Sequence, residues 1–223
     1  MSGRGSKAIL YFHGFASSPE SRKVTRIRDL LSDFTLDVPD LNVPSFETLD
    51  YNAMIDVGLA HGRATPPDAI VGSSLGSLVA LEIARRGAGA PLVLIAPPLG
   101  MASQWITVLP PGDPLRMFNH ARNAEAPIHR AFFERLARVT VDREPPRQSV
   151  TVVIGRNDET VPFDGALERW REWEKSGRLA GGSRFVEIPS GDHGLVDFAD
   201  VIADAVRRAI TTAAAAPLPA GPR

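Results

Sequence analysis

AIVGSSLGSLVALEIARR, residues 69–86, is the stretch of sequence that decides the fold. Its first three apolar residues predict a short buried strand, and the apolar positions after Leu75 recur at the spacing of a helix. Between strand and helix, GSSLG at residues 72–76 fits the pattern G-x-S-x-G. A serine on so sharp a turn needs small neighbours, because larger side chains would clash with the strand or the helix. The stretch therefore predicts a strand–turn–helix unit with Ser74 at its apex.

The same alternation of strand and helix continues on both sides of this unit. Apolar runs predict five further strands, at Ala8–Phe12, 36–41, 91–96, 149–154 and Arg184–Ile188. Amphipathic stretches between them predict helices. Such alternation produces βαβ units, so we predict a doubly wound α/β fold with a mostly parallel sheet of about six strands.

Two segments depart from this alternation. Residues 99–147 carry large apolar side chains among prolines and charges, and we interpret them as a mainly helical cap inserted into one α/β domain over residues 1–210. Residues 211–223 are small and proline-rich without an amphipathic pattern, which predicts a disordered tail.

Composition excludes several classes of protein. The 223-residue chain has no cysteine, so disulfides, thiolate metal sites and a cysteine nucleophile are impossible. The net charge of −1 gives no electrostatic reason to expect a nucleic-acid partner. We recognise neither a signal peptide nor an apolar stretch long enough to span a bilayer, so a cytoplasmic protein without a membrane span is expected.

Chemically useful residues follow four of the predicted strands. They are HGF at residues 13–15, GSSLG at 72–76, GRND at 155–158 and GDH at 191–193. Ligands of an open parallel sheet bind beyond the carboxyl ends of its strands. A serine, an acid and a histidine placed there are the parts of a nucleophilic hydrolase.

His193 is the predicted general base, because a serine hydroxyl is a weak nucleophile until a base takes its proton. It lies directly after the last predicted strand, in a loop that reaches the same edge of the sheet. His13 also follows a strand, but we interpret it as a structural residue that shapes the turn after it. His61, His120 and His129 are interpreted as surface or otherwise satisfied polar residues.

Asp158 is the predicted carboxylate that orients His193. Asp192 is disfavoured because adjacent residues rarely turn their side chains towards each other, and Glu159 lies one residue further round the turn. Each nevertheless stands as an alternative. Ser73 is the alternative nucleophile, although it is out of register with the two glycines.

Two backbone N–H groups are needed to stabilise the oxyanion of a tetrahedral intermediate. Leu75 offers one, because the first N–H groups of a helix have no intrahelical partner. The second is expected from Phe15 in the loop after the first strand, where Gly14 allows the backbone to turn its amides inward.

With these residues assembled, residues 8–210 resemble the α/β-hydrolase superfamily. The order serine, acid, histidine is the order of that superfamily, and GRNDETVP at residues 155–162 resembles its acid loop. HGFASSP at residues 13–19 is similar to the same region in a subgroup of small bacterial esterase-like proteins.

The resemblance implies a reduced form of the fold, because the superfamily's first two antiparallel strands have no room before Ala8. It also implies Asp158 rather than its rivals as the acid, and it implies the oxyanion role of Phe15.

The expected function is hydrolysis of a small-molecule carboxylic ester or thioester through an acyl-enzyme on Ser74, with no metal or organic cofactor. Five apolar cap residues are candidates to line the acyl pocket: Met101, Trp105, Phe118, Phe132 and Phe133. Packing of the cap onto the sheet is the simpler explanation for any single one of them. The alternatives are a carbon–carbon bond hydrolase or cofactor-free peroxidase on the same residues, and a non-catalytic binding protein.

Overall fold

The computed structural model describes residues 6–215 as eight strands, six α-helices and three short 3₁₀ helices. The strands are β1 (Ala8–Phe12), β2 (Thr35–Asp37), β3 (Ala69–Ser73), β4 (Leu92–Ile95), β5 (Leu115–Asn119), β6 (Ala124–Ile128), β7 (Val150–Gly155) and β8 (Arg184–Ile188). The α-helices are α1 (Arg22–Leu30), α2 (Tyr51–Ala64), α3 (Leu75–Arg85), α4 (Arg130–Leu136), α5 (Phe163–Lys175) and α6 (Ala199–Ala215). The 3₁₀ helices cover Trp105–Val108, Val141–Arg143 and Val196–Phe198.

Six strands form one sheet in the order β2-β1-β3-β4-β7-β8, and every neighbouring pair is parallel. The prediction of a doubly wound α/β fold with about six strands is confirmed. The edge strand β2 ends at Asp37, two residues before Pro39, whose missing N–H would interrupt a ladder.

The strand order reverses between β1 and β3. From β1 the chain first adds β2 on one side and then β3 on the other. Phe12 at the end of β1 pairs with Gly72 near the end of β3, so the loops after these two strands leave the sheet side by side. Such a reversal opens a crevice at the carboxyl edge of the sheet, where ligands bind.

Each face of the sheet has its own apolar core. Alternate residues of β1 divide between them: Leu10 and Phe12 belong to the core that also contains α2, α3, α4 and α5, whereas Ile9 and Tyr11 belong to the core formed with α1 and α6. Because each fully buried aliphatic side chain stabilises the fold by about 1.5–3 kcal/mol, burial on both faces contributes strongly to the stability of the sheet.

The segment inserted between β4 and β7 contains α4 and, in addition, an antiparallel hairpin of β5 and β6 that the sequence did not predict. The hairpin mixes charged and apolar residues on its exposed positions and has Pro127 in its second strand, so it lacks a clear strand pattern. The N–H of His129 donates to the carbonyl of Glu47, which ties the end of the hairpin to the loop before α2.

The last helix extends further than predicted. Because α6 continues to Ala215, the first residues of the segment predicted as a disordered tail are helical. Its alanines have the highest helix propensity of any residue, which outweighs their lack of an amphipathic pattern. The rest of that prediction lies outside the described residues. Within residues 6–215 no helix has the length and apolar character needed to cross a membrane.

Candidate active site

Ser74 lies at the sharp turn between β3 and α3, in a backbone conformation that side chains rarely adopt. Its φ is 51° and its ψ is −123°. Such a conformation costs roughly 1–3 kcal/mol and persists only where the surroundings impose it. The N–H of Ser74 donates a 2.8 Å hydrogen bond to the carbonyl of Ile95, which anchors the strained residue to β4.

The glycines on either side of Ser74 are required by close backbone contacts. A Cβ at Gly72 would lie 2.6 Å from Cα of Ser77, and a Cβ at Gly76 would lie 2.6 Å from the carbonyl oxygen of His13. Backbone atoms cannot move aside cheaply, so neither position accepts a larger residue. The turn predicted from residues 72–76 is therefore present, with the glycines in the predicted roles.

The loop after β1 packs directly against this turn. A Cβ at Gly14 would lie 3.2 Å from Cβ of Ser74 and 3.9 Å from its Oγ. The predicted oxyanion donor Phe15 is the next residue. Leu75, the other predicted donor, is the first residue of α3, where helix N–H groups lack intrahelical acceptors and the helix dipole favours negative charge.

His13 holds the loop after β1 in a defined orientation. Its Nε2 accepts a 2.9 Å hydrogen bond from the N–H of Leu41, so Nδ1 carries the proton and donates to the carbonyl of Gly14, also at 2.9 Å. Oδ1 of Asp40 lies further from the same Nε2, at 3.3 Å, and the shorter contact with the Leu41 N–H sets the tautomer.

This contact also sets the direction of the Phe15 amide. The carbonyl of Gly14 and the N–H of Phe15 belong to one planar trans peptide, so they point in opposite directions. Because His13 and the N–H of Ser17 both donate to that carbonyl, the N–H of Phe15 is turned away from them. His13 shapes the turn, as its interpretation as a structural residue requires.

His193 and Asp158 form a close pair at the ends of β8 and β7. Nδ1 of His193 lies 3.0 Å from Oδ1 and 2.9 Å from Oδ2 of Asp158. The Asp158 side chain is 0% exposed, whereas that of His193 is 28% exposed. Oδ1 of Asp158 also accepts the N–H groups of Thr160 and Val161, at 2.9 and 2.7 Å. Four contacts thus fix the carboxylate, and Nε2 of His193 is left as the nitrogen available for proton transfer.

Neither alternative acid pairs with His193. Oδ1 of Asp192 accepts the N–H of Leu195 at 2.7 Å, which closes the histidine's own loop. Glu159 is exposed, while its neighbour Asp158 is buried. The geometry therefore brings His193 together with the predicted acid rather than with either rival.

The loops after β7 and β8 interlock through two glycines. A Cβ on Gly155 would run into the carbonyl of Gly191, and a Cβ on Gly191 would lie 3.0 Å from Cα of Gly155. The N–H of Asn157 donates a 2.9 Å hydrogen bond to the Gly191 carbonyl. This close approach is what brings the acid of one loop within hydrogen-bond distance of the histidine of the other.

The five candidate pocket residues fall into three environments. Phe132 and Phe133 are buried against Phe15, with ring centroids 6.1 and 5.7 Å from its ring. Met101 and Trp105 are partly buried against the same core. The Phe118 side chain is 46% exposed on the hairpin and packs edge to face on His120. Of the five, only the two buried phenylalanines have rings packed on the ring of the predicted oxyanion residue.

Sequence reasoning missed Lys23. Its Nζ donates a 2.9 Å hydrogen bond to Oγ of Ser73, the residue before Ser74. Burial lowers the pKa of Lys23 to about 8, and the carboxylates of Asp158 and Asp192 act in the opposite direction. One signal was available: Lys23 precedes the buried Ile27 by four residues, so both lie on one face of α1.

This architecture is the α/β-hydrolase fold, and solved structures share it. The alignment with the esterase domain of a Rhodothermus marinus protein covers 94% of this chain and 90% of that chain, with a TM-score of 0.67 and 18% identity. The alignment with Est1E from Butyrivibrio proteoclasticus with ferulic acid bound covers 94% of this chain and 90% of that chain, with a TM-score of 0.69 and 16% identity. The alignment with a thermophilic esterase from Thermogutta terrifontis covers 92% of this chain and 90% of that chain, with a TM-score of 0.65 and 21% identity. At such identities the likeness establishes the fold.

The chain belongs to the uncharacterised protein family UPF0227, whose sequence profile matches residues 8–207. None of the curated proteins is a significant match to the chain.

Proposed function

We propose that the protein is a serine hydrolase that cleaves a small-molecule carboxylic ester or thioester through an acyl-enzyme on Ser74. The observation that carries the proposal is the pairing of His193 with the fully buried carboxylate of Asp158. A histidine held in this way has a fixed tautomer with Nε2 as the base, and a carboxylate ready to stabilise the imidazolium. The strained Ser74 turn ends at the same edge of the sheet.

The reaction has two symmetrical halves. Oγ of Ser74 attacks the acyl carbon while Nε2 of His193 takes the hydroxyl proton, and collapse of the intermediate expels the alcohol or thiol, which receives that proton. Water then attacks the acyl carbon while Nε2 of His193 takes a proton from the water. Collapse of this second intermediate releases the acid, and Oγ of Ser74 recovers the proton from His193. Asp158 remains ionised throughout. No metal or organic cofactor is needed for either half.

The oxyanion of each intermediate is stabilised by the N–H groups of Phe15 and Leu75. Support comes from the contact between Gly14 and Ser74, and from the orientation that His13 imposes on the peptide between Gly14 and Phe15. Preorganised donors of this kind are each worth about 100- to 1,000-fold in rate.

The acyl group lies against the aromatic cluster beside the oxyanion loop. The rings of Phe15, Phe132 and Phe133 pack on one another with centroid distances between 5.1 and 6.1 Å. Met101 and Trp105 pack against the same core, and Phe118 stands on the exposed hairpin. An aromatic wall favours aromatic or aliphatic acyl groups over charged ones. One structural neighbour has ferulic acid bound, so hydroxycinnamoyl esters belong in the first substrate panel with nitrophenyl esters and acyl thioesters.

A fluorophosphonate probe tests the nucleophile directly. We expect the purified wild type to be labelled, peptide mapping to place the label on Ser74, and Ser74→Ala to remain unlabelled. A label on Ser73, or no label on folded wild type, would overturn the proposal, and the second result would favour a binding protein with this fold. Hydrolysis of the ester and thioester series by wild type, absent from Ser74→Ala, then identifies the leaving group and acyl length.

A further inference from the structure

Lys23 spans two elements that meet at the candidate site. It is the second residue of α1, and its ammonium reaches the sheet to bind Oγ of Ser73 at 2.9 Å, fifty positions away in sequence. The buried phenol of Tyr11 on β1 lies near the same side chain: burial raises the pKa of Tyr11, and Ser73 acts in the opposite direction. Ser73 is buried and is the last residue of β3. Lys23, Ser73 and Tyr11 thus form a small polar cluster between the sheet and α1, in which Ser73 and Tyr11 are buried and Lys23 is half-buried.

The bond between Lys23 and Ser73 connects the two segments that carry the proposed oxyanion donors. Phe15 lies in the loop that runs from β1 to the first residue of α1, and Ser21 ends this loop by accepting the N–H of Val24. Leu75 follows Ser73 by two residues. A shift of α1 along the sheet would therefore change the distance between the two donors, and the Lys23 side chain resists that shift.

An ammonium is an unusual choice for a purely mechanical contact at this place. Moving a charged group out of water is unfavourable unless it is well compensated. An apolar side chain usually holds a helix to a sheet without this desolvation penalty. Val24 and Ile27 on the same helix already pack in that way. The compensation for Lys23 consists of one hydroxyl acceptor and the field of Asp158 and Asp192. A half-buried charged group with a shifted pKa beside a candidate site favours a functional role.

We propose that Lys23 is a positioning residue: by binding Ser73 it sets the spacing between the Phe15 loop and the Ser74 turn, so that both oxyanion donors meet the same oxygen. The inference rests on the proposed function. It assigns Lys23 no contact with the substrate.

The proposal predicts an effect on turnover rather than on substrate binding. Oxyanion hydrogen bonds strengthen in the transition state, so their misalignment lowers kcat and leaves KM nearly unchanged. A displacement of about 1 Å at such a site costs up to roughly 100-fold in rate. A merely structural role would instead lower the amount of folded protein while leaving kcat per labelled site unchanged.

The experiment compares Lys23→Met, Ser73→Ala and the double variant with wild type, with active sites counted by fluorophosphonate titration. We expect each single variant to lose about 10- to 100-fold in kcat, with KM within about twofold of wild type. The double variant should lose no more kcat than the less active of the two single variants. Arg26→Met is the matched control, because it removes one positive charge from an exposed position of the same helix. It should keep wild-type kcat.

Three results would overturn the inference: wild-type kcat in folded Lys23→Met, wild-type kcat in Ser73→Ala, or losses that simply multiply in the double variant. Ser73→Ala removes one oxygen only, so it decides the matter if Lys23→Met does not fold. If wild type neither hydrolyses esters nor takes the probe, the proposed function fails. If wild type does both and Lys23→Met matches its kcat, only the role of Lys23 fails.

Discussion

Nδ1 of His193 lies 2.9 Å from Oδ2 of Asp158, a carboxylate with no exposed surface and with two backbone N–H groups bound to its other oxygen. The carboxylate cannot turn away from the ring without losing these bonds. Its position therefore determines which imidazole nitrogen carries a proton, and with it which nitrogen can act as a base.

Replacing Asp158 by Asn is expected to lower kcat by roughly 1,000- to 10,000-fold, because an amide nitrogen facing Nδ1 favours the wrong tautomer. Steady-state kinetics on the best ester checks this. Glu159→Gln is the matched control, since it neutralises the exposed carboxylate one residue further on. Near-full activity of Asp158→Asn together with loss in Glu159→Gln would show that the acid is misassigned.

Gly155→Ala is expected to destabilise the fold by roughly 3 kcal/mol or more, because the new Cβ would overlap the Gly191 carbonyl and force the two loops apart. Activity should fall with stability, since these loops carry Asp158 and His193. Denaturant unfolding measures the change. Gly165→Ala in α5 is the control: its Cβ would meet nothing within 4 Å, so a neutral or slightly stabilising change is expected. Equal stability of the two variants would contradict the interlocking of the loops.

His13→Leu should lower both kcat and stability. The buried N–H of Leu41 would lose its acceptor, at a cost of about 1–3 kcal/mol, and the Gly14 carbonyl would lose the donor that orients the Phe15 amide. We expect kcat to fall by about 10- to 100-fold with a smaller change in KM. His61→Gln is the control, because His61 lies in the last turn of α2 and forms a partly exposed pair with Asp37. Unchanged kcat in folded His13→Leu would refute this role.

Lys23 should make stability depend on pH. Burial lowers the pKa of Lys23 from 10.5 to about 8. Between these values the unfolded chain binds a proton that the folded chain does not, so the folded state becomes relatively more stable as pH rises. The shift corresponds to a penalty of roughly 3 kcal/mol below pH 8 that disappears towards pH 10.5.

Lys23→Met lacks this penalty, so its stability relative to wild type is expected to be greatest near pH 7 and to decline as pH rises through 8 towards 10. Urea unfolding of both proteins at pH 7 and pH 9.5 measures the difference. The groups that act on Lys23 from neighbouring elements are the carboxylates of Asp158 and Asp192. Burial raises the pKa of the Tyr11 phenol above this window. A difference that stays constant with pH would contradict the burial of the ammonium.

Much of the site could be predicted because its parts have local signatures. GSSLG at residues 72–76 requires small residues for reasons confined to one turn. HGF, GRND and GDH each stand at the end of a predicted strand, and the parallel sheet brings such ends to one edge. The hairpin of β5 and β6 has no comparable signature, since its strands are short, partly exposed and interrupted by Pro127.

The sequence by itself determined the order of the strands of the main sheet and the turn at Ser74, since hydrophobic periodicity and glycine spacing act over a few residues. Only the tertiary structure decided that Asp192 bonds to its own loop while Asp158 meets His193, that His13 orients the Gly14 peptide, and that Lys23 reaches Ser73. These choices depend on which loops approach closely and on where a flexible side chain can reach a partner. Both are set by the packing of elements that lie far apart in the chain.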